Sequence, residues 1–145
     1  MMHNLLLADD DMDDCLFFQE AMEEISTTMQ LTTVNDGVQL MNFLSSNKNQ
    51  LPDIIFLDLN MPRKSGMECL TEIKLDNCLK QLPIVIISTS MDTDVINKLY
   101  LDGAHYYIRK PGDFALLKQV IQEATTRLSD NKTQQPERSN FIIQP

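Results

Sequence analysis

The feature that most constrains this chain is a series of five short, almost unbroken apolar runs: Leu5 to Asp9, Leu31 to Asn35, Asp53 to Asp58, Ile84 to Thr89 and Tyr106 to Arg109. Runs such as Ile54-Ile55-Phe56-Leu57 and Ile84-Val85-Ile86-Ile87 lack the polar alternation of a strand with one wet face. They predict strands buried on both sides, the situation of a parallel sheet between two layers of helices.

Segments with helical spacing separate the runs. Leu16, Phe17, Ala21 and Ile25 form one apolar face behind Asp13-Asp14, acids that suit the positive end of a helix dipole. A second helix is expected from about Val38 to Leu44, with Leu40, Met41 and Leu44 inward. A third follows Ser65-Gly66 and buries Leu70 and Ile73. A fourth starts near Asp92 or Asp94 and stops at Gly103, suited to the left-handed position after a helix. The fifth begins after Asp113, a good N-cap, and presents Leu116, Leu117, Val120, Ile121, Ala124 and Leu128.

Five strand-helix repeats predict an α/β doubly wound fold, a five-stranded parallel sheet with five helices, for which the flavodoxin-like strand order 2-1-3-4-5 is adopted. Residues 1–128 are expected to form this domain. Residues 129–145 turn polar, apart from Phe141-Ile142-Ile143, and are expected to be a mobile tail.

Composition narrows the function. A net charge of −9 over 145 residues, with no basic stripe, excludes the electrostatics of nucleic-acid binding. Leu5-Leu6-Leu7-Ala8 ahead of an acidic run is too short for a signal-peptide core, and no apolar stretch reaches membrane-spanning length, so a cytoplasmic protein with no membrane partner is expected. Cys15, Cys69 and Cys78 contain no C-x-x-C pair, lie in helix or helix-end stretches and read as reduced structural thiols.

In open α/β sheets ligands sit beyond the carboxyl ends of the strands. Here the first strand ends in Asp9-Asp10-Asp11, the third in Asp58, the fourth in Ser88-Thr89 and the fifth in Lys110-Pro111. If the strand order is 2-1-3-4-5, the crevice lies between strands one and three, which brings Asp9, Asp10 and Asp58 together. An acidic run alone is often a capping device, and a lone Asp at a strand end is often a cap too. Carboxylates packed together repel and lose hydration, however, and a hard divalent cation such as Mg²⁺ relieves both. The lack of a Cys or His cluster argues against zinc.

The order of these pieces carries a resemblance. Leu-Leu-Ala-Asp9-Asp10-Asp11, Asn35-Asp36-Gly37-Val38, Asp58-Leu59-Asn60-Met61-Pro62 with Gly66 behind it, Leu82-Pro83 entering Ser88-Thr89, Gly103-Ala104, and Tyr107 through Lys110-Pro111 follow one another at characteristic spacing. Over residues 3 to 128 the chain resembles receiver domains of two-component response regulators, and it looks most like the small stand-alone members. The resemblance implies a phosphoacceptor switch that catalyses only its own phosphorylation and dephosphorylation. Asp58 would be the phosphoacceptor. Asp10 and Asp58 would ligate Mg²⁺, with Asp9 acting mainly through water and Asn60 through its main-chain carbonyl. Ser88 and Lys110 would bond the phosphoryl oxygens, Tyr107 would sit at the aromatic switch position, and Lys110-Pro111 at a peptide bond often cis in the family. The implied partners are a sensor histidine kinase or phosphotransfer protein and a downstream protein target, the chain being a monomer or weak dimer.

On this reading the signal reaches the surface of helix four, strand five and helix five, which includes Asn97, Lys98, Tyr100 and Leu101, after Ser88 moves inward and frees space for the Tyr107 ring. With no output domain expected after residue 128, the output would be protein binding or phosphoryl relay. His3 and His105 match no functional position and are expected at the surface or in loops. Thr89 stands where the family usually has a smaller residue, narrowing access to Asp58, while Arg63 and Lys64 beside it read either as solvated charge or as a means of recognising a partner. Two rivals fit less well. A haloacid-dehalogenase-like phosphatase places a second Asp two residues after its nucleophile, where this chain has Asn60. A nucleotide or flavin binder needs a glycine-rich first turn, where this chain has five residues, four of them acidic, from Asp10 to Asp14.

Overall fold

The computed structural model describes residues 3–131 and 134–144. In chain order it contains β1 (Asn4–Ala8), α1 (Met12–Ile25), β2 (Gln30–Val34), α2 (Gly37–Ser46), β3 (Ile54–Asp58), α3 (Gly66–Leu75), β4 (Ile84–Ser88), α4 (Thr93–Leu101), β5 (Tyr106–Arg109), α5 (Phe114–Asn131), a short 3₁₀ turn (Arg138–Asn140) and β6 (Ile142–Ile143). All sheet pairings are parallel, in the order β2-β1-β3-β4-β5-β6. The expected doubly wound fold is present with one strand more than predicted.

Each helix starts where a side chain satisfies its free N–H groups. Asp11 caps α1, Asp36 caps α2, Asp92 caps α4, and Asp113 accepts from the Leu116 N–H at the start of α5. Ser65 and Glu68 form a reciprocal capping box on α3. Gly103 follows α4 with φ of 102°, the left-handed turn expected of it.

The central strands divide their side chains between two cores. Leu6, Ala8, Ile55, Leu57, Ile84 and Ile86 pack with Leu40, Leu44, Leu70, Ile73, Ile96 and Leu99 of α2, α3 and α4. Leu5, Leu7, Ile54, Phe56, Val85 and Ile87 pack with Phe18, Ala21, Val120, Ile121 and Ala124 of α1 and α5. Each fully buried Leu, Ile or Phe contributes about 1.5–3 kcal/mol relative to exposure, which holds the strands and their ends in place.

Four expectations need correction. The buried face of α1 is Cys15, Phe18, Ala21 and Met22, whereas Leu16 is 60% exposed, because the helix has apolar residues on two flanks and the sheet selects one. Leu116 likewise faces outward on α5. His105 is buried: its Nδ1 accepts from the Ile84 N–H and its own N–H donates to the Ile84 carbonyl. Cys78 is exposed in the turn after α3. Cys15 and Cys69 are buried free thiols, pushed up to about 11 and about 12 chiefly by burial, so both remain protonated at neutral pH.

The largest correction is at the C terminus. Where described, residues 134–144 are docked. Ile142 and Ile143 lie in register with Tyr107 and Ile108, and Phe141 is fully buried against Tyr100 and Tyr107. Covering the apolar scrap Phe141-Ile142-Ile143 and the open edge of β5 together outweighs the freedom of a polar tail. Among the described residues no helix is long and apolar enough to cross a membrane.

Candidate functional site

The register of the sheet assembles the site. Ala8 is paired with Leu57, so Asp9, one residue further along, comes opposite Asp58 at the carboxyl edge. Asp58 ends β3 in register with Ile87, and Ser88 ends β4 opposite Arg109, with the Lys110 N–H donating to the Ser88 carbonyl. One carboxylate oxygen from each of Asp9, Asp10 and Asp58 lies within 4.8 Å of the others, as the sequence predicted. Asp9 and Asp58 are buried and Asp10 is exposed.

Local hydrogen bonds fix these acids. Asp9 Oδ1 accepts from the Asp11 N–H at 3.0 Å, and the Asp9 carbonyl accepts from the Asn35 side-chain amide at 3.3 Å. Asp58 Oδ1 accepts from the Asn60 N–H at 3.5 Å, in the loop where Asn60 itself is exposed. A Cβ on Gly66 would lie 2.2 Å from the Asp58 carbonyl oxygen, so only glycine lets α3 begin so close to the end of β3.

Lys110 enters the cluster from the end of β5. Its ammonium is 3.0 Å from Asp9, 3.0 Å from Asp14 and 3.4 Å from Asp58. One cation among several acids does not neutralise them. Burial pushes Asp58 up to about 6, assisted by the Asp9 charge and opposed by Lys110. Asp9 is raised mainly by burial too, against its bonds to Asp11 and Lys110. Burial alone would lower Lys110, yet hydrogen bonds to Asp14 and Asp9 and the nearby charges of Asp58 and Asp9 hold it above the usual lysine range. Three carboxylates within reach of one point, two of them buried and only partly offset by one ammonium, are the donor set that suits a hard divalent cation.

Ser88 and Tyr107 stand on the β4 side. Ser88 is buried and its Oγ accepts from the Ser90 N–H at 3.2 Å. The Tyr107 ring, expected to have an outward position to leave, is fully buried, and its hydroxyl donates to the Ser90 carbonyl. Phe141 closes the outer side of that ring, which accounts for the difference. The Lys110–Pro111 peptide is trans. Thr89 is exposed, and Arg63 and Lys64 are ion-paired with Asp36 and Glu72, at 3.2 and 2.6 Å.

Asp14, Asn35 and Phe141 touch site residues and were not among the predicted ones. Asp14 had a readable signal: side chains in the first turn of a helix point back toward its N terminus, here the strand ends. Phe141 had none within its own neighbourhood.

The family model for the response regulator receiver domain matches residues 5–122. Response regulator Rcp1 of Synechocystis is 31% identical over 122 residues, covering 81% of this chain and 83% of its own length. Among solved structures, the phosphorylated cyanobacterial phytochrome response regulator RcpA matches with a TM-score of 0.79 and 32% identity, covering 94% of this chain and all of its own. The Mn²⁺-bound form of Rcp1 matches with a TM-score of 0.74 and 28% identity, over 99% of each chain.

Proposed function

This chain belongs to the response regulator receiver domain family, and we propose that it is a cytoplasmic switch that takes a phosphoryl group onto Asp58 from a phosphohistidine of a sensor kinase or phosphotransfer protein. The observation that carries the reading is the buried Asp58 carboxylate at the end of β3, 3.4 Å from the Lys110 ammonium and grouped with the Asp9 and Asp10 carboxylates.

The residues fit a divalent cation. Mg²⁺ would be held by Asp10 and Asp58, through water by Asp9, and by the Asn60 carbonyl; the Mn²⁺-bound relative supports a site of this kind. Bound there, it supplies positive charge to the phosphoryl oxygens. The chain's own groups do the rest. An Asp58 oxygen attacks phosphorus, forming the P–O bond while the P–N bond breaks and its electron pair returns to the donor imidazole. Lys110 is placed to follow the incoming phosphoryl oxygens, and Ser88 to donate its hydroxyl to one of them. The protein's task is positioning and charge compensation, because phosphoryl transfer asks for little covalent help. The new group adds about −1.5 to −2 charge at pH 7, by analogy with other phosphorylated side chains. That charge draws on Ser88 and Lys110, whose strands lead to α4, β5 and α5, the surface offered to a downstream protein.

Intact-mass spectrometry after incubation with acetyl phosphate and Mg²⁺ tests this. One added phosphoryl group, lost in EDTA and in Asp58→Ala, is expected. Equal labelling in EDTA or in Asp58→Ala would remove the assignment.

A further inference from the structure

The face between α4 and β5 is already filled, and the way it is filled has the form of peptide recognition. The C-terminal segment adds a parallel strand to the edge of β5, with the Tyr107 N–H donating to the Phe141 carbonyl at 3.0 Å. Its aromatic residue Phe141 is buried between Tyr100 and Tyr107, with ring centroids 5.1 and 6.4 Å away. Gln135 donates its side-chain amide to the Tyr100 and Ala104 carbonyls, at 2.6 and 2.8 Å, satisfying acceptors at the end of α4. Tyr100 returns a bond from its hydroxyl to the Pro136 carbonyl at 2.7 Å, and Arg138 donates to Asn97 at 2.8 Å. Main-chain pairing for affinity, one aromatic pocket for specificity and a polar rim are the elements by which sheet edges take up extended peptides.

We propose that the α4–β5 face is a docking groove for an extended peptide, that residues 134–144 are its resident ligand, and that a downstream protein enters it by strand addition in their place. The partner segment this groove fits is extended, with an aromatic residue followed by β-branched ones, as in Phe141-Ile142-Ile143. The inference rests on the proposed function for the idea that output leaves by this face. The groove also touches the phosphoacceptor side: Phe141 packs on the ring of Tyr107, whose hydroxyl is bonded to Ser90 in the loop that follows Ser88. Filling the groove therefore holds Tyr107 inward, whichever segment fills it. A tethered ligand acts at an effective concentration in the millimolar range, so even a weak segment keeps the groove closed against peptides in solution.

The test uses the full chain and a fluorescent synthetic peptide spanning residues 134–145. Phe141→Ala should loosen the resident segment, so the peptide should bind the variant at least about tenfold more tightly than the parent. Exchange of the Tyr107 amide in the parent should be protected, and to a degree independent of protein concentration. If Phe141→Ala fails to fold, Gln135→Ala combined with Arg138→Ala removes rim contacts only and should give the same order of peptide binding. Equal peptide binding to parent and variant, or none to either, would overturn the groove. Protection that grows with protein concentration would assign the strand to a second copy and overturn the resident-ligand reading. Failure to label at all would instead strike the proposed function and leave the peptide result standing.

Discussion

The Lys110 ammonium sits 3.0 Å from the Asp14 carboxylate, as close as it sits to Asp9 and closer than its 3.4 Å approach to Asp58. The cation beside Asp58 is thus shared with a partly exposed acid in the first turn of α1. On the proposed function, phosphorylation has to draw it away from that acid.

Asp14→Asn should therefore quicken labelling by acetyl phosphate. An ion pair with one partly exposed partner is worth no more than about 1 kcal/mol, so the rate should rise by up to about fivefold, with stability changed by less than about 1 kcal/mol. A time course by intact mass checks the rate, and urea unfolding checks the stability. A slower rate at unchanged stability would show that Asp14 assists rather than competes.

Gly66→Ala should damage the site through the backbone. The added Cβ would meet the Asp58 carbonyl oxygen at 2.2 Å, and neither the buried strand nor the capped helix start can retreat cheaply. Overpacking of this kind costs about 1–3 kcal/mol. Urea unfolding should show that loss, and acetyl phosphate labelling should slow because Asp58 is displaced with its strand. Parent-like labelling would mean that the loop after β3 yields without moving the acceptor.

The doubly wound fold and the collection of Asp9, Asp10, Asp58 and Lys110 at the strand ends were legible because they follow from local signals. Doubly covered strands carry unbroken apolar runs, and an α/β sheet collects its chemistry at the strand ends. What stayed illegible depends on distant partners. Phe141-Ile142-Ile143 is a scrap in a polar stretch, and its docking rests on Tyr100, the Ala104 carbonyl and Tyr107. That Phe141 covers the Tyr107 ring was missed for the same reason. Leu16 was placed inward because α1 is apolar on two flanks, and only the fit of Phe18 against Phe56, with ring centroids 5.0 Å apart, decides between them. His105 carried no sign that its ring would meet the Ile84 N–H.

Mg²⁺ should stabilise the parent more than Asp58→Asn. A ligand that binds only the folded site adds RT ln(1 + [L]/Kd), about 2.7 kcal/mol at a hundredfold excess over Kd. Asp58 supplies one of the three clustered carboxylates, so its loss weakens the donor set. Thermal unfolding of both proteins with and without Mg²⁺ checks the difference. The same shift in each would separate Asp58 from the cation site.

The pH dependence without metal follows from the same cluster. Burial holds Asp58 near pH 6 in the folded chain, against 3.8 for the free side chain, so between these values the folded state binds the extra proton. Stability from this group then rises as pH falls through 6 and levels off below about 4; above 6 the charged, buried carboxylate costs its full amount. Asn at position 58 keeps the shape and carries no charge, so in EDTA at pH 8 Asp58→Asn should be more stable than the parent by roughly 1–3 kcal/mol. The advantage should shrink through pH 6 and vanish near pH 4, while Asp9, raised by the same burial, titrates in both proteins. Urea unfolding of the pair across pH 4 to 8 measures it. A variant less stable than the parent at every pH, by the roughly 0.5–2 kcal/mol typical of a lost cap, would make Asp58 a structural cap rather than a carboxylate kept under strain for a cation and a phosphoryl group.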